Sequence, residues 1–126
     1  MTPVAMPKQT DLEAAALSKA TIRAAQKLGL KNRVLAGVIG LSEATISRMS
    51  KNDFALPRDS KSFELSAMFV RLFRGLDAIV GGDETVAKAW LVNPNTALGD
   101  APVNLIQSIT GLVNVVQYLD SRRARI

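Results

Sequence analysis

Leucine, isoleucine, valine and alanine recur three and four positions apart through most of this chain, the spacing that lays one apolar stripe along a helix. Met1 to Gln9, with two prolines and little periodicity, predicts a flexible lead. Thr10, Asp11, Leu12 and Glu13 then match the Thr-x-x-Glu pattern of a capping box. The Ala-rich run behind it predicts a helix to Leu28, with Leu17, Ile22, Ala25 and Leu28 turned inward. Gly29 with Leu30 behind it predicts a Schellman-type stop.

A tighter pattern follows at once, from Asn32 to Lys51: NRVLAGVIGLSEATISRMSK. Leu35 and Ile39 share a helix face, with the small Ala36 beside them. Gly40 stands where a turn needs positive φ, which glycine adopts without a Cβ penalty. Leu41 fills the corner, Ser42 is placed to cap the next helix, and Ile46 and Met49 give that helix a buried stripe. Two short helices around such a turn make a helix-turn-helix, across which the preceding helix packs to close a three-helix core. An ordinary helical hairpin shares the glycine and the lengths; agreement of the small, glycine and apolar positions favours the helix-turn-helix. Burying Ile46 and Met49 turns Glu43, Ala44, Thr45, Ser47, Arg48 and Lys51 outward, a short polar face whose first turn suits a DNA major groove.

Asn52 to Ser60 predicts a loop, broken at Pro57. Ser60 or Ser62 then starts a long helix whose apolar residues (Phe63, Met68, Phe69, Val70, Leu72, Phe73, Leu76, Ile79 and Val80) cover most of its circumference. Such a helix must be covered on more than one side. It reads as the central helix between two halves of the chain or, in part, as a homodimer seam with Phe63, Phe69, Leu72, Phe73 and Leu76 as seam residues, and the two can coexist. Gly81 and Gly82 end it and Asp83 caps ETVAKAWLV; calcium-loop and nucleotide-loop spacings are both missing there. Trp90 is expected as a core anchor rather than a ligand platform, and Pro102 as the opening of a short helix after an irregular Asn-, Gly- and Pro-rich loop. A final helix is expected from Thr110 to Arg122, with Leu112, Val113, Val116 and Leu119 inward. Arg122, Arg123 and Arg125 at its end suit the helix dipole and suit a partner equally. The expected whole is all-α, divided as a flexible stretch (1–9), a helix-turn-helix domain (10–58), a long central or dimerisation helix (59–82) and a C-terminal region (83–126).

Composition narrows the chemistry. At 126 residues the chain forms a core without staples, and it contains neither cysteine nor histidine. Disulfides, thiolate nucleophiles, serine–histidine triads and histidine zinc sites are thereby excluded. No converging carboxylate pair has a recognisable spacing, so a non-enzyme without cofactor or metal is expected. Neither a signal-peptide pattern nor a membrane-length apolar run is present, which predicts a cytoplasmic protein with no membrane partner. The net charge of +5 is unevenly placed: residues 1–58 hold nine lysines and arginines against four carboxylates, residues 59–126 seven of each. All the excess positive charge lies with the helix-turn-helix, as a DNA-facing module requires.

Gly40 to Arg48, GLSEATISR, resembles the turn and recognition helix of the Xre family of phage-repressor-like regulators. Asn32 stands where a phosphate-contacting Gln is frequent, and Lys31 where a Ser or Thr cap is usual. AKAWLVNPNTALGDAPVNLI, followed by GLVNVVQYLD, is similar to the C-terminal toxin-binding region of Xre/MbcA/ParS antitoxins. Trp90, Leu91, Pro94, Asn95, Leu98, Gly99, Pro102, Gly111, Val115 and Leu119 fit that pattern; Asp100 and the Ile109-Thr110 pair depart from it. The resemblance implies an antitoxin encoded beside a RES-domain toxin that consumes NAD⁺ or ADP-ribosylates a protein. Its C-terminal region would cover the toxin's active site while its N-terminal domain binds the operon's double-stranded promoter DNA as an autorepressor.

Applied residue by residue, Glu43, Ala44, Thr45, Ser47 and Arg48 would face base edges. Lys31, Asn32, Arg33, Ser42 and Lys51 would lie nearer phosphates. The toxin surface would draw on Asn93, Pro94, Asn95, Leu98, Gly99 and Pro102, then on Val116, Leu119, Asp120, Arg122, Arg123, Arg125 and Ile126 of the last helix. A monomeric helix-turn-helix reads few base pairs, so a homodimer or toxin-bridged hetero-oligomer is expected. The rival reading is a stand-alone Xre-type repressor whose C-terminal half only dimerises.

Overall fold

A computed structural model describes residues 9–124, which form α1 (Gln9–Lys27), α2 (Asn32–Ile39), α3 (Glu43–Ser50), α4 (Lys61–Ile79), α5 (Glu84–Val92), α6 (Pro102–Leu105) and α7 (Ile109–Ala124). Among the described residues there is no strand. The expected flexible lead lies outside them, except for Gln9, which is helical. So is Thr10, which therefore sits within α1 and not at its cap as the Thr-x-x-Glu pattern implied.

The remaining boundaries follow local chemistry. Ser42, Ser60 and Asp83 cap α3, α4 and α5, each side chain accepting the backbone N–H three residues on. Gly29 closes α1 as a Schellman motif, with the Leu30 N–H reaching the Ala25 carbonyl at 2.9 Å and the Gly29 N–H the Gln26 carbonyl at 3.1 Å. Gly40 takes φ +72° between α2 and α3, and an added Cβ would meet nothing closer than 3.8 Å, so conformation and not space requires glycine there. One helix end and one helix start were not foreseen. Asn52 ends α3 at φ +62°, with the Asp53 N–H on the Arg48 carbonyl at 2.8 Å. Ser108 opens α7 by accepting the Gly111 N–H at 3.1 Å.

Leu35, Val38 and Ile39 of α2, Ile46 and Met49 of α3, and Ala24, Ala25 and Leu28 of α1 are buried together with Leu56 from the following loop. The inner face of α1 is built of small residues, Ala14, Ser18, Thr21 and Ala24 among them, while Leu17 and Ile22 are only half-buried. α4 packs on α1 and α2 along one part of its surface and on α7 along another. It is the central helix of one continuous apolar core. That position corrects the proposed dimer seam: Phe69 and Leu72 are 0 % and Leu76 is 1 % exposed, covered by helices of the same chain. Phe63 and Phe73 are half-buried, under the Arg58 guanidinium (4.8 Å from ring centre) and the Lys27 ammonium (5.8 Å).

Two buried serines make opposite predictions. The Ser18 hydroxyl donates to the Ala14 carbonyl at 2.7 Å and accepts the Leu56 N–H at 2.9 Å, tying the loop after α3 to α1. Ser18→Ala orphans a buried N–H and is expected to cost about 1–3 kcal/mol in chemical unfolding. Ser66 is fully buried in α4 and its hydroxyl has no partner among the described residues. Ser66→Ala is expected to stabilise by roughly 0.5 kcal/mol or more, since alanine is the better helix former and carries no polar atom to desolvate.

Candidate DNA and toxin interfaces

The outer side of α3 is polar because Ile46 and Met49 are consumed by the core. Glu43, Ala44, Arg48 and Lys51 are exposed; Thr45 and Ser47 are half-buried. Ser42, Thr45 and Arg48 form a hydrogen-bonded row along the helix. The Ser42 and Thr45 hydroxyl oxygens lie 2.9 Å apart, and Arg48 Nη2 donates to Thr45 Oγ1 at 3.1 Å. The Arg48 guanidinium carbon also lies 5.6 Å from the centre of the Phe54 ring, in the loop after α3. Among the described residues no carboxylate forms an ion pair with Arg48, so its charge is free for an anionic partner.

Lys31, Asn32 and Arg33 are exposed at the start of α2. Lys31 holds the cap position at ψ 156° with no side-chain acceptor, in line with its departure from the usual Ser or Thr. Among the described residues the first N–H groups of α2 have no side-chain partner, and they stand next to two cationic side chains; this arrangement favours phosphate oxygens.

The C-terminal residues do not form one surface. Asn93, Pro94 and Gly99 are exposed on the loop after α5, and Asn95 and Leu98 are half-buried. Pro102, Val116 and Leu119 are buried and shape the region from within; their assignment as contact residues is corrected. Asp120 is engaged by Arg71 of α4. Adjacent helix positions diverge by about 100°. Arg122 accordingly donates to the Tyr118 hydroxyl at 3.2 Å, whereas Arg123 runs past Gly75, 3.6 Å from where a Cβ there would stand. Arg125 and Ile126 lie outside the described residues.

The sequence marks Trp90 as a core anchor, and it does pack against the core, but neither its stacking partner nor the exposed apolar residues beside the loop are read from the sequence. Trp90 is half-buried and stacks on Tyr118 with centroids 6.3 Å apart, so that Trp90, Tyr118 and Arg122 make a ladder joining α5 to α7. Val92 and Ile109, 60 % and 58 % exposed, are apolar residues at the two helix ends that flank the loop and α6. Each occupies an ordinary helical position, and only the packing reveals that nothing among the described residues covers it.

The fold and these faces define an all-helical protein with a helix-turn-helix and a second helical unit sharing α4. Residues 9–71 match the antitoxin Xre-like helix-turn-helix domain, and residues 75–125 match the antitoxin Xre/MbcA/ParS C-terminal toxin-binding domain. The chain belongs to the Xre-type antitoxins, with DNA and a toxin as the partners its two domains point to. Comparison with curated proteins gives no significant match. No helix is long and apolar enough among the described residues to cross a membrane.

Proposed function

We propose that this antitoxin neutralises a RES-domain, NAD⁺-consuming toxin by covering its active site, and that it represses its own promoter. Both acts are binding events without catalysis. The observation that carries the reading is the separation of two differently built faces. α2 and α3 offer exposed cations that form no ion pair among the described residues, and α2 an N-terminus without a side-chain cap. The α5–α7 region offers an exposed loop flanked by Val92 and Ile109, with Arg122 on the aromatic ladder. Exposed apolar anchors and a cation, Ile109 and Arg122 standing at opposite ends of α7, are features that a cleft accepting an anionic dinucleotide could receive.

Glu43, Ala44, Thr45, Ser47 and Arg48 then read bases, and Lys31, Asn32, Arg33, Ser42 and Lys51 hold phosphates. The toxin face consists of Asn93, Pro94, Asn95, Leu98, Gly99 and Arg122, to which Val92 and Ile109 are added. Two half-sites need two copies, paired through surfaces other than Phe69, Leu72 and Leu76, or bridged by toxin.

The test co-expresses the chain with the RES-type protein encoded beside it. The complex is expected to copurify and to restore growth, and its mass gives the stoichiometry. Ile109→Asp with Arg122→Glu is expected to abolish rescue while leaving promoter-fragment shifts unchanged. Full rescue by this pair would remove the proposed toxin face; absence of any promoter shift by the parent chain would remove the repressor half.

A further inference from the structure

Resting on the DNA-reading role of α3, we infer that Phe54, a loop residue beyond the recognition helix, is a specificity-setting positioning residue that holds the Arg48 guanidinium ready for a base edge. An exposed arginine ordinarily samples many rotamers, and fixing it on binding weakens the gain from its contact. Here the guanidinium is held from two directions. Thr45 Oγ1 accepts from Nη2 at 3.1 Å, and the Phe54 ring centre lies 5.6 Å away. The ring itself has no freedom to drift. Asn52 at φ +62° turns the chain back under α3, and the Asp53 N–H closes on the Arg48 carbonyl at 2.8 Å. Two residues beyond the ring, Leu56 is buried and its N–H is held by Ser18 of α1 at 2.9 Å. Both ends of the segment 52–56 are thus held, and between them the half-buried Phe54 ring packs against the hydrophobic core, which fixes it as a shelf.

The shelf leaves the charge available, because no carboxylate pairs with Arg48 among the described residues. A cation–π contact consumes no N–H donor, and bidentate recognition of a guanine uses those donors. The Thr45 bond engages Nη2, so a base must either accept from the remaining donors or displace Thr45. Phe54 gives up nothing in either case, which is why the ring and not the hydroxyl is assigned the positioning role.

The probe is DNA selected by the full chain from a random-sequence pool, compared with a scramble of the same length and composition. Phe54→Leu is expected to weaken binding to the selected site about two- to fivefold, the size of an exposed cation–π contact, with no change on the scramble or in the salt slope. Phe54→Trp is expected to restore the selected-site affinity. In an Arg48→Ala background, Phe54→Leu is expected to have no further effect. Equal weakening on both DNAs, no weakening, or an undiminished effect in the Arg48→Ala background would each overturn the inference while leaving DNA reading intact. Thermal unfolding of every variant separates these outcomes from misfolding, and a variant whose loss on the selected site tracks lost stability counts against the positioning role. Failure of the parent chain to enrich any sequence overturns the DNA reading itself, and Phe54's role with it.

Discussion

Gly111→Ala is expected to lower the stability of the whole chain and to abolish toxin neutralisation. The sign is the point, because helix propensity predicts the reverse: alanine inside a helix is worth up to about 1 kcal/mol over glycine. Gly111 lies in the first turn of α7, where a Cβ would stand 1.9 Å from the Leu105 carbonyl oxygen and 2.7 Å from its carbon. Those are backbone atoms of α6, which rotate out of the way only if α6 moves. Forcing that shift typically costs about 1–3 kcal/mol, and here the propensity gain offsets only part of it. α6 and the preceding loop are held against the core through Ala101, Pro102 and Ile106, so displacing them deforms the proposed toxin face directly. The midpoint of thermal unfolding is expected to fall on the order of 5 °C or more. Growth rescue should be lost at the same time. Gly81→Ala serves as a control, since nothing lies within 4 Å of its Cβ position and only the strain of φ +63° opposes it. A raised midpoint for Gly111→Ala would mean that the α6–α7 junction is not packed as described.

The same packing changes how the C-terminal half should be probed. Deleting residues 84–126 removes α7 from α4, their contact being the most extensive between any two helices. Phe69, Leu72 and Leu76 form part of the core that also contains Leu112, Val115, Val116 and Leu119 of α7. A truncated chain would expose part of that core, and lost neutralisation would then report unfolding instead of a missing toxin contact. Surface substitutions on the intact chain avoid the confusion.

Much of this architecture was legible because single residues carry it. Gly40, Ser42, Ser60, Asp83 and Pro102 each do one local job that only a few residue types perform, and the turns and caps stand where they occur. What was not legible is which apolar residue meets which. Phe69 reads equally well as a dimer contact and as a core contact, since periodicity counts apolar positions and says nothing of what covers them. Val116 and Leu119 stood in a family pattern that marks a toxin-binding region, and the pattern does not separate residues that build a surface from residues that form it. Phe54 was hidden for a different reason. It stands in a loop with no periodic signal, and its meeting with Arg48 depends on an asparagine in a left-handed conformation two positions earlier. Asparagine tolerates that conformation without announcing it.

Arg48→Ala is expected to reduce discrimination between operator and random DNA roughly 5- to 150-fold, corresponding to the 1–3 kcal/mol of a bidentate guanidinium–guanine contact. Its stability should scarcely change, because Arg48 is exposed and its carbonyl and N–H bonds belong to the backbone. Arg48→Lys is not expected to rescue discrimination, since an ammonium supplies the charge without the planar pair of donors. The phosphate-side residues should behave otherwise. Arg33→Ala or Lys51→Ala removes a cation without removing a base contact. Affinity should then fall alike for every sequence, and the dependence of log affinity on log salt should become shallower by about one unit. Binding titrations at several salt concentrations, on both DNAs, separate the two behaviours in a single data set. Should Arg48→Ala leave the operator preference whole while Arg33→Ala removes it, the recognition surface would have to be moved from α3 to the start of α2.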